Sequence, residues 1–225
     1  MRFQELGNTV IIGGRRTELL DQIKAEQPGI HAIQIDTTDW ESITAAVTQV
    51  LAAHPELNVL IPMAGIMLPE DVHTSDYLEV AERTVATNLL GPIRLIAAFT
   101  SHLATQETSA IITVSSGLAF VPLPFTPTYS ATKAAIHVFT EALRVQLVDT
   151  TIQVIELVPP AVRTALMNQE DSPIAMSLDA FLDEVISLLE QESDASEILV
   201  ENVRFLRFAT ANGAHSDVLA MLSQH

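Results

Sequence analysis

Tyr129 and Lys133 stand four residues apart in the string YSATKAA, and each is one of only two of its kind in 225 residues. Random placement would produce such a pair with a chance of about 0.02. On a helix this spacing puts both side chains on one face, with an ammonium in reach of a phenol. A phenol ordinarily titrates near ~10, so it trades protons at neutral pH only where a cation steadies the phenolate. Lys133 is read as that cation. Ser115 and Ser116 close the apolar run SAIITV a short way upstream, and ligands bind at the carboxyl ends of strands in parallel α/β sheets. Taken singly, each feature has a plainer reading. A Tyr–Lys pair can be a surface contact worth about 0.3 kcal/mol, and a serine at a strand end can simply tie off backbone groups. Three such residues converging favours proton-transfer chemistry.

To be held in place, these residues need a scaffold, and the apolar pattern supplies one. Short continuous runs (NTVIIG, HAIQI, LNVLIP, SAIITVS, IQVIELV) alternate with segments of helical period: TELLDQIKAE, TDWESITAAVTQVLAAH, about 75–106, about 129–148 and LDAFLDEVISLLEQE. Strands that are apolar throughout are buried on both faces. The expectation is an α/β fold with a doubly wound parallel sheet, in a single domain over 1–225. Asp39 is placed to cap the helix that opens at Trp40, and Trp40 is expected to be a core or half-buried anchor. The acidic stretch 190–197 reads as a solvated helix end and turn.

Composition removes several function classes. Eleven basic against 28 acidic residues give a net charge of −17, which repels nucleic acid and anionic membranes. No cysteine occurs, so disulfides, thiolate nucleophiles and Cys-based zinc sites are out of reach, and nothing asks for an oxidising compartment. Proline and hydroxyl residues interrupt the longest uncharged stretch, and MRFQELGNTV carries no secretory pattern. The seven histidines lack metal-ligand spacing, so no metal is expected. A cytoplasmic address follows.

The string SSGLAFVPLPFTPTYSATKAA, with Ser116, Tyr129 and Lys133, resembles the catalytic segment of the short-chain dehydrogenase/reductase family. Further likenesses are MAGI at 63–66, where the family has an N-N-A-G strand end, Asn88 in NLLG, and VPPAVRT at 158–164, similar to the P-G-x-V-x-T segment. The PPAV variant and the closing EILVENVRFLRFA resemble the DltE-like subgroup most. The resemblance implies a Rossmann-like sheet and an oxidoreductase that interconverts a carbonyl and an alcohol with NADP, NAD being the alternative. It implies Tyr129 as acid/base, Ser116 as partner of the same oxygen, Lys133 holding the nicotinamide ribose, and Asn88 positioning a water beside Lys133. Pro159, Val162 and Thr164 are implied on the nicotinamide side, and Ala64 and Gly65 are implied to touch the cofactor. Asp36 is implied against the adenine amino group, and Arg15 and Arg16 where the family reads the ribose 2′ position; guanidinium suits phosphate there. Phe120, Leu123, Phe125, Leu166 and Met167 suggest an apolar small-molecule substrate. Homodimers or homotetramers are implied, with Ala131, Ala134, Ala135 and Ala142 allowing close helix approach.

One family feature is absent. The family's first strand and its T-G-x-x-x-G-x-G turn, whose amides meet the pyrophosphate, do not occur in this sequence. MRFQELGN looks like the last turns of the helix after that turn, and Gly13 and Gly14 close the next strand. In the order 3-2-1-4-5-6 the missing strand is central, so NTVIIGG and NVLIP are each left with an open edge. Buried unpaired peptide groups cost about 1–3 kcal/mol each. Either those two strands pair, or another chain fills the slot, or the natural chain starts upstream of Met1, which is the expectation. Binding of NADP by these 225 residues is therefore expected to be poor, and a cofactor-free scaffold is the alternative function. Pro62 and Met63 replace two family asparagines, and Pro160 replaces a glycine.

Overall fold

Each continuously apolar run forms a parallel strand. The computed structural model describes residues 2–192 and 194–224. A short α1 (Arg2–Glu5) leads into β1 (Ile11–Gly14), α2 (Thr17–Glu26), β2 (His31–Gln34), α3 (Trp40–Ala53) and β3 (Val59–Leu60). Then come α4 (Tyr77–Val85), a π-turn at Ala86–Leu90, α5 (Gly91–Leu103), β4 (Ser109–Val114), α6 (Pro127–Gln146), β5 (Ile152–Leu157), α7 (Leu178–Gln191) and β6 (Glu197–Ile198). The chain closes with α8 (Arg204–Arg207) and α9 (His215–Leu222). The long helical stretch near 75–106 is thus two α-helices joined through a π-turn, a local widening often found at functional positions. Asp39 caps α3 as its sequence suggests, accepting from Glu41 N at 2.9 Å, and Trp40 is 49% exposed.

The sheet comes in two parallel parts, β1–β2 and β3–β4–β5–β6. Among the described residues β1 and β3 do not pair, so of the three ways to satisfy the central slot, direct closure is not the one adopted. Burial records the consequence. β4 and β5 are buried along most of their length, whereas Val59 and Met63 are 43% and 63% exposed. Two neighbouring strands are needed to cover a strand's edges, and β1 and β3 each have one.

Helices cover both faces of the larger sheet, because successive side chains on a strand point to opposite sides. Ile111 and Val154 pack with Ile43, Leu95, Phe99 and Leu103 of α3 and α5. Their neighbours Ile112 and Ile155 pack with Phe181 and Val185 of α7 and with Val200 and Val203. The 190–197 stretch is a helix end and turn with Glu190, Glu192 and Asp194 exposed, and it differs from its reading only at the end, where Glu197 opens β6 and is held by Arg207 at 2.8 and 3.0 Å.

Candidate functional site

The carboxyl ends of the strands gather most residues singled out in the sequence. Arg15 and Arg16 follow β1, Asp36 follows β2, Ala64 and Gly65 follow β3, Ser116 follows β4 and Pro159 follows β5. Ser116 adopts extended backbone and caps a short 3-10 turn (Gly117–Ala119), its Oγ accepting from Leu118 N at 3.1 Å. The connection is fixed from below: Ser115 N donates to Leu157 O and Gly117 N to Pro159 O, both at 3.0 Å. A side chain at 117 would meet Leu206 Cδ1 at 2.5 Å, so only glycine lets this turn lie on the C-terminal segment.

Tyr129 lies in the first turn of α6 and Lys133 one turn on, and the two are 7% and 8% exposed. Burial raises the Tyr129 phenol above its ordinary range, while the Ser116 hydroxyl pulls it down. Lys133 Nζ donates to Val114 O at 2.8 Å and lies 5.6 Å from the Tyr129 ring centre. Burial lowers its ammonium to about 8. The Ser116 hydroxyl is the group that opposes burial at the phenol, and the Lys133 ammonium finds in a strand-end carbonyl the acceptor that a buried cation needs. Ser115 Oγ, buried at the same strand end, has no hydrogen-bond partner among the described residues.

Asn88 sits in the π-turn, 1% exposed. Its Oδ1 accepts from Ile66 N at 2.8 Å and its Nδ2 donates to Ile66 O at 2.7 Å. The side chain implied to act through a water thus clamps the loop after β3. A methyl at Gly65 would lie 3.5 Å from Asn88 Oδ1, an ordinary contact. Ala64 and Gly65 are exposed.

Asp36 accepts from Thr38 N and Thr38 Oγ1 at 2.8 and 2.7 Å through one oxygen, and its other oxygen faces Arg15 at 3.8 Å. The Thr38 hydroxyl is the largest influence and holds the carboxyl below its usual range; burial, next in size, opposes it, and the Thr38 amide and Arg15 add smaller downward pulls. Arg15 and Arg16 are exposed. Beyond Pro159 and Pro160, Val162 bridges to Met176, and Thr164 Oγ1 donates to Val162 O at 3.4 Å. Met167 and Asn168, in the turn that follows, both have left-handed backbone (φ 56° and 53°). That conformation is uncommon for residues with side chains and clusters at functional sites. Of the five apolar residues expected around a substrate, Phe125 and Leu166 are exposed, while Phe120 turns onto His137 and Arg207.

Two groups gave no sequence signal. Glu70, buried in the loop after β3, accepts from Thr128 N and Thr128 Oγ1 at the start of α6. Glu156 is 0% exposed; its Oε2 lies 2.8 Å from His137 Nδ1, and its Oε1 has no partner among the described residues. Thr113, Glu156 and Glu197 lie in register across β4, β5 and β6. His137, Glu156 and Glu197 offer donor atoms within 4.8 Å of one another, and the Arg207 guanidinium holds both oxygens of Glu197. Period and spacing report neither group, since the partners come from distant elements.

The profile of the short chain dehydrogenase family matches residues 1–174. The uncharacterised oxidoreductase DltE of Bacillus subtilis is 44% identical over 166 residues, covering 73% of this chain and 66% of that protein. The fatty acyl-CoA reductase of Acinetobacter baylyi is 29% identical over 171 residues, covering 74% and 58%. The chain spans two-thirds or less of these relatives' length. Among solved structures, a short chain dehydrogenase from Burkholderia cenocepacia in complex with NADP superposes with a TM-score of 0.81 at 26% identity, covering 98% of this chain and 89% of the other. Serine dehydrogenase from Escherichia coli gives a TM-score of 0.73 at 25% identity, covering 83% and 82%.

Proposed function

The chain belongs to the short-chain dehydrogenase family, and from that premise we propose that it is an NADP-preferring oxidoreductase interconverting an apolar carbonyl and its alcohol. The observation that carries this reading is the convergence of Ser116, Tyr129 and Lys133, all buried, at the ends of β4 and α6. Tyr129 gives a proton to the carbonyl oxygen or takes one from the alcohol. Ser116 donates to the same oxygen as charge builds on it. Lys133, with Nζ 5.6 Å from the Tyr129 ring centre, would supply positive charge beside the phenol and hold the nicotinamide ribose.

The nicotinamide half of a dinucleotide fits the residues present. Ser115 Oγ is a buried polar atom without a partner among the described residues, Ala64 and Gly65 are exposed after β3, and Pro159, Val162 and Thr164 would line the other side. A bound nicotinamide supplies or accepts the hydride; the chain's own work is to hold it and polarise the oxygen. Arg15 and Arg16 would meet a 2′-phosphate, with Asp36 beside them. No glycine-rich turn for the pyrophosphate occurs in these 225 residues, so the cofactor is held at its two ends and weakly overall. NADPH fluorescence titration of this chain is expected to give a dissociation constant weaker than micromolar; a micromolar value would contradict this.

The open slot between β1 and β3 favours a second reading, a cofactor-free scaffold. The two separate on turnover: consumption of NADPH with apolar aldehydes or ketones at high NADPH supports the oxidoreductase, and none supports the scaffold. No helix among the described residues is long and apolar enough to cross a membrane. We place the protein in the cytoplasm, in keeping with its lack of cysteine.

A further inference from the structure

The first turn of α6 carries Tyr129, and its capping is unusual. The residue in capping position, Thr126, makes no side-chain cap, and its buried Oγ1 has no partner among the described residues. Pro127 has no N–H, so Thr128 offers the first free amide of the helix. That amide is satisfied from 58 residues away: Glu70 Oε1 accepts from Thr128 N at 3.0 Å and Oε2 from Thr128 Oγ1 at 2.5 Å. Glu70 N also donates to Phe125 O at 3.1 Å, just before the helix. A carboxylate at a helix N-terminus is favourably placed, and here it is 8% exposed.

The other end of this loop is fixed as well. Ile66, four residues before Glu70, has both backbone groups held by Asn88. The segment 66–70 is therefore a short strut between the π-turn and the residue next to Tyr129. We propose that Glu70 is a positioning residue: it pins the first turn of α6 to the loop after β3 and so sets the Tyr129 phenol against Ser116. This deepens the oxidoreductase reading and rests on it for its kinetic consequence, but the position of the phenol can be read without turnover.

Gln at 70 keeps both contacts, its carbonyl accepting from Thr128 N and its amide donating to Thr128 Oγ1, whereas Ala removes them. The chain has two tyrosines, so tyrosine labelled at Cζ with a heavy carbon isotope gives two resonances, assigned with Tyr77→Phe. In Glu70→Ala the Tyr129 resonance is expected to move or broaden at neutral pH, and Glu70→Gln should leave it in place. Turnover should fall about tenfold in Glu70→Ala, with KM within about twofold, as expected for a displaced reacting group. Glu70→Gln should restore it. An unmoved Tyr129 resonance in a folded Glu70→Ala protein overturns the proposal, as does equal loss in both variants. If no form turns over while the resonance moves as described, the oxidoreductase reading fails and the pin stands. Thr128→Val, which keeps the amide but loses the hydroxyl contact, gives the same readout should Glu70→Ala fail to fold, with a smaller displacement expected and none contradicting.

Discussion

Lys133 is the buried group whose charge state has the clearest stability consequence. In the unfolded chain it keeps its proton to its ordinary value of 10.5, and in the folded protein only to about 8. The unfolded state therefore binds more protons between these values, and stability gains with rising pH across that window. Below pH 8 the folded state carries a buried ammonium at a cost of about 3 kcal/mol. Losing the bond to Val114 O offsets about 1 kcal/mol of the relief. Lys133→Met is thus expected to be about 2 kcal/mol more stable than the parent near neutral pH, the gap closing toward pH 10.5. Urea denaturation across this range checks it; a gap that widens with pH contradicts it. Tyr129 and Lys133 were legible as a rare pair at helical spacing, and Ser116 as a residue closing an apolar run. Glu70 and Glu156 were not, because their partners lie 58 and 19 residues away on other elements, and one-dimensional pattern carries no such distances.

At the scale of elements, the turn after β4 depends on Gly117. An added Cβ would stand 2.5 Å from Leu206 and 2.8 Å from Val203, atoms in the packed C-terminal segment. Gly117→Ala is expected to destabilise by about 1–3 kcal/mol through overpacking and to shift Ser116 with it, lowering the thermal midpoint; an unchanged midpoint would show that the segment yields freely. The strands were legible as apolar runs, whose bounds match β2, β4 and β5 to within a residue, while β1 starts three residues into NTVIIG and β3 keeps only Val59–Leu60 of LNVLIP. Two things were not. β6 is two residues long, below what a run can signal, and strand pairing is set by partners rather than by the strand itself. Hydrogen exchange should accordingly be fast along β1 and β3, each paired on one side, and slow along β4 and β5, paired on both. Equal protection would mean that the slot between β1 and β3 is filled in solution.

For the whole molecule, α6 leaves an apolar line uncovered on its outer side. Ala131 and Ala142 are exposed, with Val138 at 62% and Val145 at 73%. The residues 131, 138, 142 and 145 recur at helical spacing and form one stripe. A second copy packing here would bury it. Light scattering is expected to show a dimer or tetramer, and Val138→Glu to shift it toward monomer; a monomeric parent contradicts this. The central claim is that Tyr129 is the proton donor of a carbonyl reduction, and comparing the parent with Tyr129→Phe tests it most directly. Both are supplied with high NADPH and a panel of apolar aldehydes, and NADPH consumption is followed alongside NADPH binding. The expected result is consumption by the parent, background rates for Tyr129→Phe, and equal cofactor affinity in the two. Undiminished turnover by Tyr129→Phe would contradict the account.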